Sequence, residues 1–470
     1  MAADAKHAPA LFHPTAFRAF RFLSRHIDAH GHVTLRYALD EQVFFEERYD
    51  LPIQRELSHA DRERVDGLLA LLHWVAGVSY FKTALPPELL CETGAPSPAV
   101  ATLLEALYSE GLGELAYTNE LAALPRPVFP RAAARARIGV AHSDGHGADD
   151  RDARHEQPPR RVLVPVGGGK DSAVAIEIVR RSGLDAALFS IGDAPPIART
   201  VAVAGLPHLL VRRQLDPGLR ALNQAGAING HVPITAIVSC VALLTAALNG
   251  FDAVAMANER SASSPNLSWD GVEVNHQFSK SLTAERLLSN AVAEVAPGTR
   301  IFSLLRPASE LAIARAFARM PAYHHAFTSC NAIFRLDPAL RAASWCRDCP
   351  KCRFVFLALA PFSAPEHLRE LFGSDLLDDE RQFDGFALLS ASGGHKPFEC
   401  VGEELESLAA MRLLARDQRW SSHSVVRRLA HEVLPRHPPT QGDPAAVLAL
   451  SNEHAVPAAL MTDVRAILGA

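Results

Sequence analysis

No stretch of this 470-residue chain is apolar for long enough to cross a bilayer. The longest apolar run, Ile234 to Leu248, falls short of the ~20 residues a span needs. It also carries Thr235, Ser239 and Thr245. The opening residues, Met1-Ala2-Ala3-Asp4-Ala5-Lys6, lack the apolar core of a secretion signal. A soluble, cytoplasmic protein with no membrane partner is expected. Basic charge is not in excess: 47 Lys and Arg face 52 Asp and Glu, for a net charge of −5. No basic, aromatic-rich platform is visible, so nucleic acid is not an expected partner, although a local basic groove fits that balance. The seven cysteines are an odd number without a secretion signal, which argues against a disulfide framework. There is no internal repeat. What the chain does have is apolar content, 48%, over enough length for two or three domains with real cores.

Composition divides the chain into four regions. Residues 1–130 read as a mixed α+β region, a candidate for substrate recognition. There Val33 to Leu39 alternates with period two and predicts a strand. Gln42 to Tyr49 can pair with it through a turn at Asp40-Glu41. Helical patterns follow at 60–76, with Asp61 as the expected cap, and at 97–110. Residues 131–160 are polar, densely charged and close on Pro-Pro, which predicts a solvated linker; its His142, His146 and His155 are read as surface residues. Residues 161–325 alternate strand and helix. Strands are predicted at 162–166, 186–191, 208–212, 252–257 and 300–304, and helices at 171–182, 195–204, 233–249, 279–295 and 308–319. That alternation predicts an α/β fold, a mostly parallel sheet with helices on both faces. Residues 326–470 read as a mainly helical region with a cysteine cluster.

The most informative segment joins the first predicted strand of 161–325 to its helix: Gly167-Gly168-Gly169-Lys170-Asp171-Ser172. A glycine loop at a strand's carboxyl end and a helix N-terminus is an anion cradle, because its N–H groups and the helix dipole both favour negative charge. Lys170 adds a cation, Asp171 a carboxylate able to help hold magnesium, and Ser172 a hydroxyl donor. The spacing is neither that of a Walker A loop nor that of a dinucleotide fingerprint. It resembles the SGGKDS loop of the PP-loop, or N-type ATP pyrophosphatase, enzymes, whose fold is of the adenine nucleotide alpha hydrolase type. The resemblance implies that ATP and Mg²⁺ bind here and that Lys170 and Asp171 serve catalysis. Gly167 replaces the usual leading serine, which removes one hydroxyl donor.

Further residues carry chemistry. Asn258 and Glu259 end a predicted strand on the loop's side of the sheet and are candidates to face ATP or the acceptor. His276 and Lys280 follow in a polar loop and can neutralise a carboxylate or phosphate, with Ser279 as the expected cap of the next helix. Cys346-x2-Cys349-x2-Cys352, with Cys330 sixteen positions upstream, suits a closed tetrahedral zinc site of structural type. Free thiols and a redox or persulfide pair are the alternatives. Cys400, near Lys396, can carry a proton if its pKa is lowered, but reads first as a small buried residue. Trp345 is read as core packing.

The cysteine segment following such a loop resembles that of 7-cyano-7-deazaguanine synthase, although its first gap is shorter there. Over most of its length the chain resembles the ATP-dependent UDP-N-acetylmuramoyl-L-alanyl-L-glutamate epimerase family. The resemblance rests on VPVGGGKDSAV, AMANERSAS, NHQFSKS, WCRDCPKC and KPFECVGEE, with Gly77 to Pro86 and Tyr108 to Asn119 in the N-terminal region. It implies a UDP-muramoyl dipeptide substrate whose terminal L-glutamate is adenylated and epimerised, with release of AMP and pyrophosphate. The proton-transfer groups are not identified by it; Cys400, His276, Glu259 and Glu403 are candidates by residue type. The alternative reading is a PP-loop enzyme of tRNA thiolation or deazaguanine synthesis. A non-catalytic ATP sensor is a third.

Overall fold

A computed structural model describes residues 11–132, 158–334, 341–342, 344–390 and 396–469. Most of the expected linker, with His142, His146 and His155, lies outside them. Strands β1 (Ala19–Ile27), β2 (His32–Leu39), β3 (Val43–Asp50) and β4 (Glu88–Cys91) come from the N-terminal region. From the alternating region come β5 (Arg161–Pro165), β6 (Asp185–Ile191), β7 (His208–Gln214) and β8 (Ala253–Met256). A short antiparallel ribbon, β9 (Leu267–Trp269) and β10 (Val272–Val274), precedes β11 (Arg300–Ser303).

All strands but that ribbon join one nine-stranded sheet in the order β11-β8-β5-β6-β7-β3-β2-β1-β4. The half from β11 to β7 is parallel throughout, and each of its strands falls within two residues of its predicted span. The sheet then continues antiparallel into the N-terminal region through β3 and β7, where Tyr49 lies opposite Arg213. The predicted hairpin of β2 and β3 is present, and its turn residue Asp40 takes a φ of 48°.

Strand period two sorts the side chains into two cores. Val162 and Val164 face one and Leu163 the other; Leu188 and Phe189 divide likewise, as do Ala255 and Val254. One core holds the helix Lys170–Ser182 with the helices Glu310–Ala318, Pro350–Leu359 and Glu404–Arg416 of the C-terminal half. The opposite core holds the helices His59–Ala76, Ile234–Asn249 and Leu282–Val295 with the N-terminal strands. Ile234–Asn249 packs on the sheet and on His59–Ala76 at once, which explains its uniformly apolar sequence. Among the described residues no helix is long and apolar enough to cross a membrane.

Two expected caps are corrected. Ser58, not Asp61, caps the first long helix, and Asp61 closes a capping box from the third helical position. The helix after the polar loop starts at Leu282 and is capped by Ser281, because Ser279 sits in a 3₁₀ turn that delays the α-helix.

The β3–β7 joint is locked by charge. Glu47 is fully buried, and its carboxylate accepts bonds from Arg213 Nε at 2.8 Å and from the Tyr49 hydroxyl. Arg213 also reaches Ser79 Oγ at 3.3 Å. Arg213→Met leaves Glu47 buried without its cation, so we expect a loss of about 3–5 kcal/mol in urea unfolding. The double variant Arg213→Met/Glu47→Gln recovers part of it. An unchanged midpoint for Arg213→Met would show that the joint does not depend on this pair.

Candidate active site

The glycine loop leaves β5 at the carboxyl edge of the parallel strands, where α/β sheets bind ligands. Gly168 has a φ of 78°, and a Cβ there would meet the Pro196 carbonyl carbon at 2.6 Å and the Ile197 nitrogen at 2.7 Å. Only glycine fits. Gly167 differs, since the nearest atom to a Cβ there is Ser172 Oγ at 4.0 Å, so this position has room for the serine seen in other such loops. The Gly167 N–H donates to Ser172 Oγ at 3.0 Å. Gly169 is the N-cap of Lys170–Ser182 and brings no capping side chain. The first-turn N–H groups are thus left without a side-chain acceptor, as an anion cradle requires.

Lys170 is 2% exposed and lies between Asp171, at 2.5 Å, and Glu310. Burial alone would lower its pKa, but the two carboxylates outweigh that and raise it. Burial and the charge of Asp171 push the Glu310 carboxyl above its ordinary range against the pull of Lys170. Glu310 opens the helix Glu310–Ala318, whose first turn is fixed by the Ser309 cap and by its own N–H donating to Glu406 Oε1 at 2.8 Å. Burial and Glu403 raise the Glu406 pKa to about 7. Buried Lys396 lies in the field of Glu406, Glu403, Glu259 and Glu310, with burial lowering its pKa.

Asn258 and Glu259 are both buried where β8 ends. Asn258 Nδ2 donates to Ser303 Oγ at 3.1 Å, tying β8 to β11. The Glu259 carbonyl accepts from Arg306 at 2.5 Å. Lys280 is half-buried and reaches Gln277 Oε1 at 3.2 Å. Its ammonium is disfavoured by burial but held by Cys400, Glu259, Asp171 and Glu310 together, which raise its pKa. Lys280 therefore lies in the electric field of both the glycine-loop acids and Cys400.

Cys400 does not sit in an apolar pocket. Burial would raise its pKa, but Lys280, Lys351 and a hydrogen bond with His276 bring it down to about 5. His276 is in turn raised to about 9: burial opposes the charged form, but Cys400 and Glu114 support it. His276 Nδ1 pairs directly with Glu114 Oε2. The ring of His231 lies 4.2 Å from that of His276, and burial with the neighbouring positive charge lowers its pKa to about 4. Glu403 is spent elsewhere, accepting from Ser264 Oγ at 2.6 Å and capping the helix Glu404–Arg416.

Sequence reasoning missed Glu114, His231, Glu310, Glu406 and Arg306. Only Glu114 had a signal, since it lies in the Tyr108 to Asn119 segment. The others are ordinary acids, histidines and an arginine whose partners are distant in sequence.

The four clustered cysteines converge beside these groups: the residues flanking Cys330 reach the glycine loop, where Thr328 N–H donates to the Gly168 carbonyl at 3.0 Å, and the Cys400 segment, where Asn331 Nδ2 donates to Glu399 Oε2 at 3.1 Å. The Sγ atoms of Cys330, Cys346, Cys349 and Cys352 all lie within 4.8 Å of one another, with Cys346 and Cys352 at 3.7 Å. Zinc–sulfur bonds of ~2.3 Å in a tetrahedron put sulfurs ~3.8 Å apart, so the donor set and its spacing fit zinc. Cys349 also caps the helix Pro350–Leu359, accepting from the Cys352 N–H at 3.4 Å. Trp345 packs between Phe327 and Phe372 as core.

Fold and site together define an α/β protein in which a glycine anion cradle and a buried cluster of acids, lysines and a thiol share one edge of the sheet. Comparison narrows this. The model of the MurL N-terminal domain matches residues 11–304, and that of the MurL C-terminal domain matches residues 326–443. The chain belongs to the MurL family. It is 46% identical over 427 residues to the UDP-N-acetyl-alpha-D-muramoyl-L-alanyl-L-glutamate epimerase of Salinispora tropica, covering 88% of this chain and 89% of that one. The protein of the same name from Xanthomonas oryzae is 41% identical over 450 residues, covering 95% and 97%. No solved structure matches.

Purified protein is expected to carry about one zinc per chain by elemental analysis. Cys349→Ser should lose that zinc and melt earlier, because metal binding contributes folding free energy. A metal-free protein of undiminished stability would exclude a structural zinc.

Proposed function

We propose that the chain is an ATP-dependent epimerase of the PP-loop type. It would convert UDP-N-acetylmuramoyl-L-alanyl-L-glutamate to its D-glutamate form, for peptidoglycan precursor synthesis. The relatives' shared name, at 41–46% identity over most of both chains, supports the substrate. One observation carries the chemistry: buried Lys170 lies between Asp171 and Glu310 at the mouth of the glycine loop.

Epimerisation at a glutamate α-carbon faces one obstacle. Removing the α-proton beside a free carboxylate builds a second negative charge next to the first. Adenylation neutralises that carboxylate. A carboxylate oxygen attacks the α-phosphorus of ATP, the bond to the β,γ-pyrophosphate breaks, and pyrophosphate leaves. The glycine loop's N–H groups and Lys170 stabilise the charge on the leaving group. Asp171 and Glu310, which flank Lys170, would hold Mg²⁺, and the ion would add Lewis-acid stabilisation of that charge. Lys280, whose charge is supported by Cys400, Glu259, Asp171 and Glu310, would orient the substrate carboxylate. The α-proton then moves, and water cleaves the mixed anhydride, giving AMP and the D-glutamate product.

With ATP and Mg²⁺, the dipeptide nucleotide should yield the D-glutamate epimer, with AMP and pyrophosphate formed in step and no ADP. Lys170→Ala should cut pyrophosphate release by ~10²-fold or more with the fold intact. Pyrophosphate release triggered by a tRNA or a deazapurine acid, and not by the dipeptide nucleotide, would reject the epimerase and favour nucleobase chemistry.

A further inference from the structure

Adenylation at the glycine loop needs none of Glu114, His231 and His276, yet these three converge. Glu114 lies on the short helix Gly113–Thr118 of the N-terminal region, His231 in the loop before the helix Ile234–Asn249, and His276 in the loop after β10. One donor atom from each lies within 4.8 Å of the other two. Both histidines present Nδ1 to the same oxygen, Glu114 Oε2. That of His276 is in direct contact, and that of His231 is 3.9 Å away. The two imidazole rings are 4.2 Å apart, centroid to centroid.

The backbone brings them together independently of the donor atoms. Gly113, beside Glu114, comes close enough to β10 that a Cβ on it would touch Val274 Cγ1 at 3.5 Å. Gly230, beside His231, lies against Leu115, whose Cγ a Cβ would meet at 3.3 Å. Asn119 Nδ2 donates to the Leu115 carbonyl at 2.8 Å and to the Asn229 carbonyl at 3.0 Å, which ties the His231 loop to the helix of Glu114. Buried Lys82 holds Asn229 Oδ1 at 2.7 Å. The His276 N–H donates to Asn266 Oδ1 at 2.9 Å, and Asn266 Nδ2 donates to the Pro397 carbonyl at 2.7 Å. All three donors are thus held from behind, which is the support a metal site needs.

We propose that Glu114, His231 and His276 bind a divalent transition-metal ion of the zinc class, at a site separate from the four cysteines. A separation of 3.9 Å between His231 Nδ1 and Glu114 Oε2 is too long for a hydrogen bond. It is close to the spacing of two ligands on one ion, since bonds of ~2.0–2.2 Å in a tetrahedron set donors ~3.4 Å apart. A hydrogen-bonded ion pair needs one histidine. The second, with its nitrogen turned to the same carboxylate oxygen, adds nothing to that pair, whereas an ion uses all three groups and takes the place of the proton between His276 and Glu114.

Two imidazoles and a carboxylate suit zinc, cobalt, nickel or copper, while Mg²⁺ prefers an oxygen shell. Three protein ligands leave at least one position open to water or to an anionic oxygen of a ligand, unlike the closed set of four cysteines. The three side chains are 13–20% exposed, so a small ligand can reach the ion.

An open site of three ligands exchanges its metal more readily than four thiolates do. Purified full-length protein is therefore dialysed against Co²⁺ and its metals are counted by elemental analysis. Wild type should gain about one cobalt per chain beyond the metal held by the cysteines. His231→Ala and Glu114→Gln should each weaken that uptake by ~10²-fold or more, because losing a group that only orients a ligand already costs ~10–100-fold. Both should keep the circular dichroism of wild type. The cobalt lost in these variants should be the one without thiolate-to-metal absorption, which makes the test independent of how full the cysteine site is. Excess Mg²⁺ should not displace it. If His231→Ala does not fold, His231→Phe keeps a ring and removes the nitrogen. No uptake beyond the cysteines, unchanged uptake in the variants, or displacement by Mg²⁺ would overturn the site and leave an ion-pair cluster. No turnover is measured, so the outcome is separate from the fate of the epimerase reading.

Discussion

Arg306 holds the site together. It is 1% exposed and fully paired, with its guanidinium on Glu285 Oε2 at 2.8 Å, on the Glu259 carbonyl at 2.5 Å and on the Lys280 carbonyl at 2.5 Å. One planar, permanently charged group thus fixes the backbone at Glu259 and Lys280 against the helix Leu282–Val295. Buried carbonyls at the end of a strand and at the end of a polar loop have no ladder partner, so a multidentate donor is the economical way to satisfy both. Without it the Lys280 backbone loses its anchor to the helix Leu282–Val295.

The rest of the architecture serves the same convergence. The parallel half of the sheet delivers the loop and Glu259 to one edge. The Glu47–Arg213 lock attaches the N-terminal strands and so brings Glu114 to His276. The C-terminal half packs on the opposite face, anchors Cys400 and adds Glu406 behind Glu310. Acids outnumber lysines in the cluster: Asp171, Glu259, Glu310, Glu403 and Glu406 face Lys170, Lys280 and Lys396.

Much of the parallel half was legible in the sequence, because period-two strands and glycine-terminated helices are local signals. Gly183, Gly205 and Gly250 all end their helices with positive φ, where glycine carries no steric penalty. Legibility of the glycine loop came from Gly168, which no other residue can replace. The joining of β3 to β7 was not legible, since strand pairing between positions as far apart as Asp50 and Arg212 leaves no local trace. The charged surroundings of Cys400 were illegible for the same kind of reason: Lys280, Lys351 and His276, which lower its pKa, lie far away in sequence. The cap at Ser281 was missed by two residues because a 3₁₀ turn and a helix start share the same residue preferences.

In the proposed mechanism the glutamate carboxylate attacks phosphorus before the α-carbon changes hand. Isotope transfer tests it directly. The dipeptide nucleotide is prepared with ¹⁸O in the terminal α-carboxylate and turned over with ATP, and the AMP formed is analysed by mass spectrometry. Adenylation followed by attack of water on the acyl carbon predicts one ¹⁸O in the phosphate of AMP. AMP free of label, alongside D-glutamate product, would contradict it.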